Sequence, residues 1–461
     1  MNRFSRRTLL RGGIATGAAL VAGGALLRPG HASGTLSTPS LAGLRHPDSR
    51  PFPDVAAGTD TMPQIEHILV LMMENHSYDN YLGMLGRGPG QTPRGDGFTI
   101  GAGGLPTAAN PTGTGSTQHA FRMPTDCQLA GHPSQEWTAS HDQYDNGALD
   151  GFVTSPSGPV SMGYWTGDDL PFYYSLANTF PIADRWFCPM LGQTYPNRRY
   201  LVAGTSAGMV DDVLSQLDTQ PPNGTIFDRL DQYGISWRDY YHPTSSPTTG
   251  VYLADASNSS PNVVSIDAFF TDAAAGTLPG FAIIDTNFGT ASEENPQDIA
   301  QGEAFAAQVV NAVLSSPSWG STLLVWTYDE HGGYYDHVAP PAAIPPDAIA
   351  PIVPPGVSSY DGFARYGFRV PAAVISPFAR PDYVSSVVYD HTSILAMVER
   401  KWNLPALTAR DANANDLTDF IDLSVPGFAD PPTLADPASF PQACGTSGPG
   451  TIPPAGSVTT P

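Results

Sequence analysis

The stretch Ile65-Glu66-His67-Ile68-Leu69-Val70-Leu71-Met72-Met73 constrains the fold of this chain most. Nine residues this densely apolar match neither the one-sided stripe of an amphipathic helix nor the alternation of a half-exposed strand. They predict a strand buried on both faces, which needs covering helices and parallel neighbours. Similar short runs at 281–284, 322–326 and 370–375 supply candidate neighbours. Helical spacing lies between them, from Phe227 to Tyr233 before Gly234, from Asp298 to Leu314, and from Thr392 to Trp402 ahead of Pro405. The alternation predicts an α/β fold: a mainly parallel central sheet flanked by helices. With 47 Gly and 46 Pro, long turn-rich loops must join these elements, Gly86 to Gly115 among them.

The first 32 residues read differently. Ser5-Arg6-Arg7-Thr8-Leu9-Leu10 precedes an uncharged run at 12–27, and Gly30-His31-Ala32 ends it with small residues. That run holds five glycines and falls short of the roughly 20 apolar residues of a membrane span. It predicts a cleaved signal peptide over 1–32 rather than a stable transmembrane anchor, with the twin-arginine export machinery as partner and a secreted or cell-envelope location. A Pro/Ser-rich linker is expected at 33–60, a catalytic domain at 61–410 and a C-terminal extension at 411–461, disordered from about 445. Net charge is −22, and −27 without the first 32 residues, which disfavours nucleic acid as a partner. Cys127, Cys188 and Cys444 lack metal-type spacing and allow at most one internal disulfide, Cys127–Cys188 being one pairing.

Polar residues cluster where the predicted strands stop. The first ends in Glu74-Asn75-His76-Ser77, and the run at 322–326 leads into Asp329-Glu330-His331-Gly332-Gly333. Ligands of open parallel sheets bind outside the carboxyl ends of strands, and these side chains are oxygen donors suited to a divalent cation. Either cluster alone reads more simply as an ordinary loop start, and it is their joint occurrence at two strand ends that brings the metal reading level with it. In Gly192-Gln193-Thr194-Tyr195-Pro196-Asn197, Pro196 suits a first helical turn and Thr194 stands near the cap, where an anion is favoured. A plain Thr cap is the simpler reading there. Beside a divalent metal, however, the hydroxyl could attack phosphorus.

Together these segments resemble the bacterial phosphoesterase family of phospholipases C and acid phosphatase A, a branch of the alkaline phosphatase superfamily. The matching stretches include IEHILVLMMENHSYDNYLG from 65, GQTYPNRRYLVAGTS from 192, TYDEHGGYYDHVAPP from 327 and DHTSILAMVERKWNLP from 390. The resemblance implies one divalent metal ion of unknown identity, held by Glu74, Asn75, Asp329, Glu330 and Thr194. Thr194 would be the nucleophile and Asn197 a phosphoryl hydrogen-bond donor. His132 and His242 would stabilise the transferring group or protonate the leaving oxygen, with His337 a further catalytic candidate. Where many members carry Glu-His-Pro-Pro, this chain reads Glu294-Asn295-Pro296-Gln297, so Asn295 would bind substrate but could not act as an acid. His391 and His67 read as structural.

The implied activity is an exported phosphoric ester hydrolase acting on phospholipid or a small phosphate ester. A phospholipase C using a phospho-threonine intermediate leads, an acid phosphatase is the alternative, and a catalytically silent envelope binding protein is the remote one. Tyr164, Trp165, Trp186, Tyr240 and Tyr241, with the acidic charge, point to phosphatidylcholine through cation–π contact. A sulfatase is a further possibility within the fold class, but the CxPxR motif it needs is absent at Cys188-Pro189-Met190-Leu191.

Overall fold

The computed structural model describes residues 43–127, 132–243, 248–251, 260–439 and 451–457. The expected signal peptide and Cys444 lie outside these residues. Eight strands form one sheet: β1 His67–Met73, β2 Ile182–Ala183, β3 Trp237–Tyr241, β4 Val263–Ser265, β5 Phe281–Asp285, β6 Thr322–Tyr328, β7 Ala372–Ile375 and β8 Val384–Ser385. Their order across the sheet is β8-β2-β7-β6-β1-β5-β3-β4, so the nine-residue apolar run supplies a central strand. Ile68 to Met73 have no solvent exposure, as a strand covered on both faces requires.

Within this sheet all strand pairs are parallel except those of β7, which runs antiparallel to both β6 and β2. The run at 370–375 is thus a sheet strand of reversed direction, and it begins after Pro371, whose missing N–H cannot join a ladder. The helices are α1 Tyr78–Leu82, α2 Trp137–Tyr144, α3 Pro171–Thr179, α4 Thr194–Ala203, α5 Ile226–Gln232, α6 Ile266–Ala275, α7 Ile299–Leu314, α8 His391–Trp402 and α9 Ala409–Ala412. Start signals behave as polar caps should: Asp298 accepts from Ala300 N–H before α7, while Thr225–Asp228 and Asp390–Ser393 form capping boxes before α5 and α8. Among the described residues no helix is long and apolar enough to cross a membrane.

The segments flanking the sheet are tied to it. Asn403 bonds the backbone of Phe52, Val55 and Ala56, fastening part of the 33–60 stretch to the end of α8. Trp319 Nε1 donates to Phe428 O, and the backbone N–H of Ala438 donates to Glu303, so the chain beyond 411 wraps the core. In the expected disordered tail, the described residues 451–457 include a Gly456 N–H donated to Thr117 O. The Cys127–Cys188 pairing does not form. Cys127 is disulfide-bonded, whereas Cys188 is a free thiol in the core, its Sγ turned to Met190 O.

Candidate active site

Strand register brings the acidic clusters together. Because β1 pairs with β6, Met73 lies beside Tyr328, and the next residues, Glu74-Asn75 and Asp329-Glu330, leave the sheet at the same carboxyl edge. Asp329 Oδ1 accepts the backbone N–H of Asn75 at 3.1 Å and of Glu330 at 2.8 Å. Asn75 turns the chain at φ +68°, a conformation Asn tolerates better than most residues. Gly332 and Gly333 follow at φ +65° and +75°, and a Cβ on Gly332 would sit 1.8 Å from Asn75 O. Only glycine lets the second loop fold across the first.

Thr194 is the first residue of α4, with Gln193 rather than Thr194 at the cap, and its Oγ1 lies 3.5 Å from the Asn75 side-chain amide. Thr194, Glu74, Asn75, Asp329 and Glu330 are all buried. Of the proposed ligand set, the geometry therefore connects Thr194 to Asn75 and Asn75 to both carboxylates of the second loop. If the Asn75 nitrogen faces them, it donates to Glu330 Oε1 and, at 3.3 Å, to Asp329 Oδ1. Turned the other way, its oxygen joins theirs, the arrangement a cation would select. Glu74 Oε2 is buried without a hydrogen-bond partner.

The charges are one-sided. Burial, with Glu294 and Asp329 nearby, pushes the Glu74 carboxyl well above its usual range. Burial and Asp329 do the same to Glu330. Glu294 is pushed up to about 7 by burial and Asp329. The cation facing this array is Arg198, buried on α4, whose Nε lies 3.1 Å from Asp329 Oδ2 and Nη1 3.3 Å from Asp285 Oδ1 at the end of β5. One guanidinium among so many carboxyls leaves a demand for positive charge, and the donor set fits a divalent ion.

The other candidates sit as follows. Asn197 is fully buried, with its amide on the turn before α4: it accepts from Met190 N–H and donates to Gly192 O and Gln193 O. His132 is exposed, two residues from Ser134, whose backbone would meet a Cβ on Gly333 at 2.7 Å. His242 follows β3, at the same edge of the sheet as Asp285. Asn295 is buried, accepts the Tyr334 hydroxyl at 3.1 Å and leaves Nδ2 unpartnered. His337 belongs to an ion network, its Nδ1 2.6 Å from Asp79 Oδ2 and its Nε2 3.3 Å from Asp96 Oδ1. Asp79, Asp336 and His337 are metal-ligating types lying close together, yet buried Arg369 already pairs with both carboxylates, at 3.1 and 2.9 Å. His391 Nε2–H donates to Asp329 O, 2.8 Å away, and burial lowers the imidazole to about 3, so it stays neutral and braces that loop.

Sequence reasoning missed Arg198, Glu294 and Asp285, and also Asp212, whose carboxylate accepts the backbone N–H of Tyr195 next to Thr194 at 2.7 Å. Arg198 was visible only as part of the PNRRY motif, and the acids carry no local pattern. The aromatic expectation is corrected. Tyr164, Trp165, Trp186 and Tyr240 are buried in the core, where Tyr240 OH bonds Asp272 and Trp186 Nε1 points to His391, so they cannot form a headgroup cage. Tyr241 alone is half-buried.

A profile of the Phosphoesterase family matches residues 65–405, spanning every segment of this site. The chain belongs to the Phosphoesterase family. Phospholipase C A of Mycobacterium tuberculosis is 30% identical over 424 residues, covering 82% of this chain and 81% of that protein. Non-specific phospholipase C6 of Arabidopsis thaliana is 32% identical over 425 residues, covering 81% and 75%. Among solved structures, a protein in the alkaline phosphatase superfamily from Vibrio parahaemolyticus shows a remote likeness, with TM-score 0.40 and 9% identity over 81% of this chain and 72% of that one. The chain is a phosphoric ester hydrolase, and its relatives are phospholipases C.

Proposed function

We propose that this protein is an exported, metal-dependent phospholipase C that cleaves the glycerol side of the phosphodiester in glycerophospholipids. The observation that carries this reading is the Thr194 hydroxyl beside Asn75, which itself contacts Asp329 and Glu330. Glu74, Asn75, Asp329, Glu330 and Thr194 would hold one divalent ion. When bound, it would favour the ionised Thr194 hydroxyl and offset charge on the phosphoryl oxygens. Thr194 Oγ1 would form the new bond to phosphorus as the bond to the glycerol oxygen breaks, giving a phospho-threonine that water then hydrolyses. His132 or His242 would deliver the proton taken up by that glycerol oxygen.

Asn197, expected to donate to a phosphoryl oxygen, would instead hold the turn that presents Thr194, because its Nδ2 already donates to Gly192 O and Gln193 O, while Asn295 Nδ2 is a free donor for substrate oxygen. His337 keeps its catalytic candidacy only through the loop it anchors. Phosphatidylcholine remains the favoured lipid on charge alone, since a chain of −27 without its first 32 residues disfavours anionic headgroups. The twin-arginine signal at 1–32 directs the protein to the envelope or medium.

Purified protein with added divalent metal, offered p-nitrophenylphosphorylcholine beside p-nitrophenyl phosphate, tests this reading. It predicts faster turnover of the diester, abolished by chelator. Faster turnover of the monoester would assign an acid phosphatase, and turnover of neither would point to the silent binding protein.

A further inference from the structure

Seven large apolar side chains are exposed among the described residues, and four of them, Val213, Leu214, Ile352 and Tyr360, lie on two segments that both bond to Trp137, through Asp211 and through Ser358. Two segments carry them. Ile352 and Tyr360 lie on the long connection from 339 to 360, which has Asp347 as its only charged residue in a chain with 43 acidic ones. That charge is already engaged by the Thr205 hydroxyl, 2.5 Å away. Ala350, Pro354 and Pro355 are exposed beside Ile352, so an uncharged strip faces solvent.

The strip is fixed rather than trailing. Ile352 N–H donates to Gly208 O at 2.8 Å, Ala409 N–H donates to Pro346 O at 3.0 Å, and Trp137 Nε1 donates to Ser358 O at 2.9 Å. Tyr360 stacks on His141 with ring centres 3.8 Å apart. Val213 and Leu214 directly follow Asp211 and Asp212, whose carboxylates accept from Trp137 N–H and Tyr195 N–H. The apolar neighbourhood is therefore continuous with the turn that presents Thr194. A loop this long without regular structure, held at several points and carrying one charge that is already engaged, is built to present a surface.

We propose that Val213, Leu214, Ile352 and Tyr360 form a docking rim that seats the protein on an uncharged lipid–water interface. This rests on the phospholipase reading, which requires a substrate embedded in a bilayer. Apolar side chains next to Asp212, which bonds the residues on either side of Thr194, would enter the headgroup region and bring Thr194 to the phosphodiester. Exposed Glu136 and Asp142 flank the rim, which selects zwitterionic over anionic surfaces.

The test compares the mature protein with a Leu214→Ser/Ile352→Ser variant on phosphatidylcholine vesicles and on soluble p-nitrophenylphosphorylcholine. Vesicle binding by sedimentation and vesicle hydrolysis should fall together by about tenfold, the transfer cost of two partly inserted aliphatic side chains. Turnover of the soluble diester should stay unchanged. Undiminished vesicle binding by the variant would overturn the proposal, as would a stable dimer that the two substitutions dissolve. An Ile352→Trp variant gives a second readout: its emission should shift to the blue on phosphatidylcholine vesicles, and an unshifted spectrum contradicts docking. If wild type binds vesicles but turns over no diester, the phospholipase reading fails while the docking result stands by itself.

Discussion

Asp212 accepts the backbone N–H of Tyr195 at 2.7 Å, and its own backbone N–H donates to Gln193 Oε1 at 2.8 Å. The helix that begins at Thr194 is thus capped from a distant loop, since the Gln193 side chain makes no capping bond of its own. Two reciprocal bonds fix the residues on either side of Thr194 and so fix the direction of its hydroxyl.

Removing the acceptor should therefore hurt turnover more than folding. Asp212→Ala costs a cap, about 1 kcal/mol of stability, and frees the turn. We expect kcat to fall at least about tenfold with KM little changed, since misplacing the nucleophile is penalised steeply. Asp212→Asn keeps an oxygen acceptor and should recover most of the activity. Steady-state kinetics of the two variants check this, and equal losses would show that charge rather than the bond matters.

Arg198 spans Asp329 and Asp285, with all three side chains buried. Arg198→Met leaves two buried carboxylates without their cation, a defect that typically costs about 3–5 kcal/mol. Urea unfolding should show that loss, and activity should disappear with it. A variant as stable as wild type would mean the array is neutral by protonation rather than balanced by Arg198.

Glu293 carries a pH signature. Its carboxylate accepts the hydroxyls of Tyr81, Tyr173 and Tyr328 at 2.8, 2.6 and 2.6 Å, and burial pushes it up to about 8. A carboxyl raised in the folded state binds its proton more tightly there than when unfolded. Its contribution is therefore complete below about pH 4.5 and declines as pH rises through about 8. Glu303 and Glu294, each pushed up to about 7, act in the same direction. Thermal midpoints measured from pH 5 to 8 should fall with rising pH, and Glu293→Gln should flatten part of that slope. An unchanged slope in the variant would place the titration elsewhere.

The elements that could be read from sequence were those with one strong periodic or apolar signal. The strand ending at Met73 and the helices ending at Leu314 and Trp402 are of this kind, and their polar start residues cap as their chemistry predicts. Strand β3, Trp-Arg-Asp-Tyr-Tyr, was illegible because its polar residues are satisfied by partners far along the chain, such as Asp272 for Arg238 and Tyr240. The site divides the same way. Glu74, Asn75, Asp329 and Glu330 stand where strands stop, a local signal. Arg198 and Asp212 act through bonds to residues 131 and 17 positions away, which only the fold reveals. The aromatic residues misled because large rings fill cores as readily as they line pockets.

The central claim is that Thr194 is the nucleophile, and Thr194→Val tests it most directly. Valine keeps the side chain's shape and deletes the oxygen. Turnover of p-nitrophenylphosphorylcholine under saturating metal should fall by several orders of magnitude, roughly the scale of losing a nucleophile in other hydrolases, while thermal stability changes little. A Thr194→Val protein that folds normally and keeps a tenth of wild-type turnover would contradict the account.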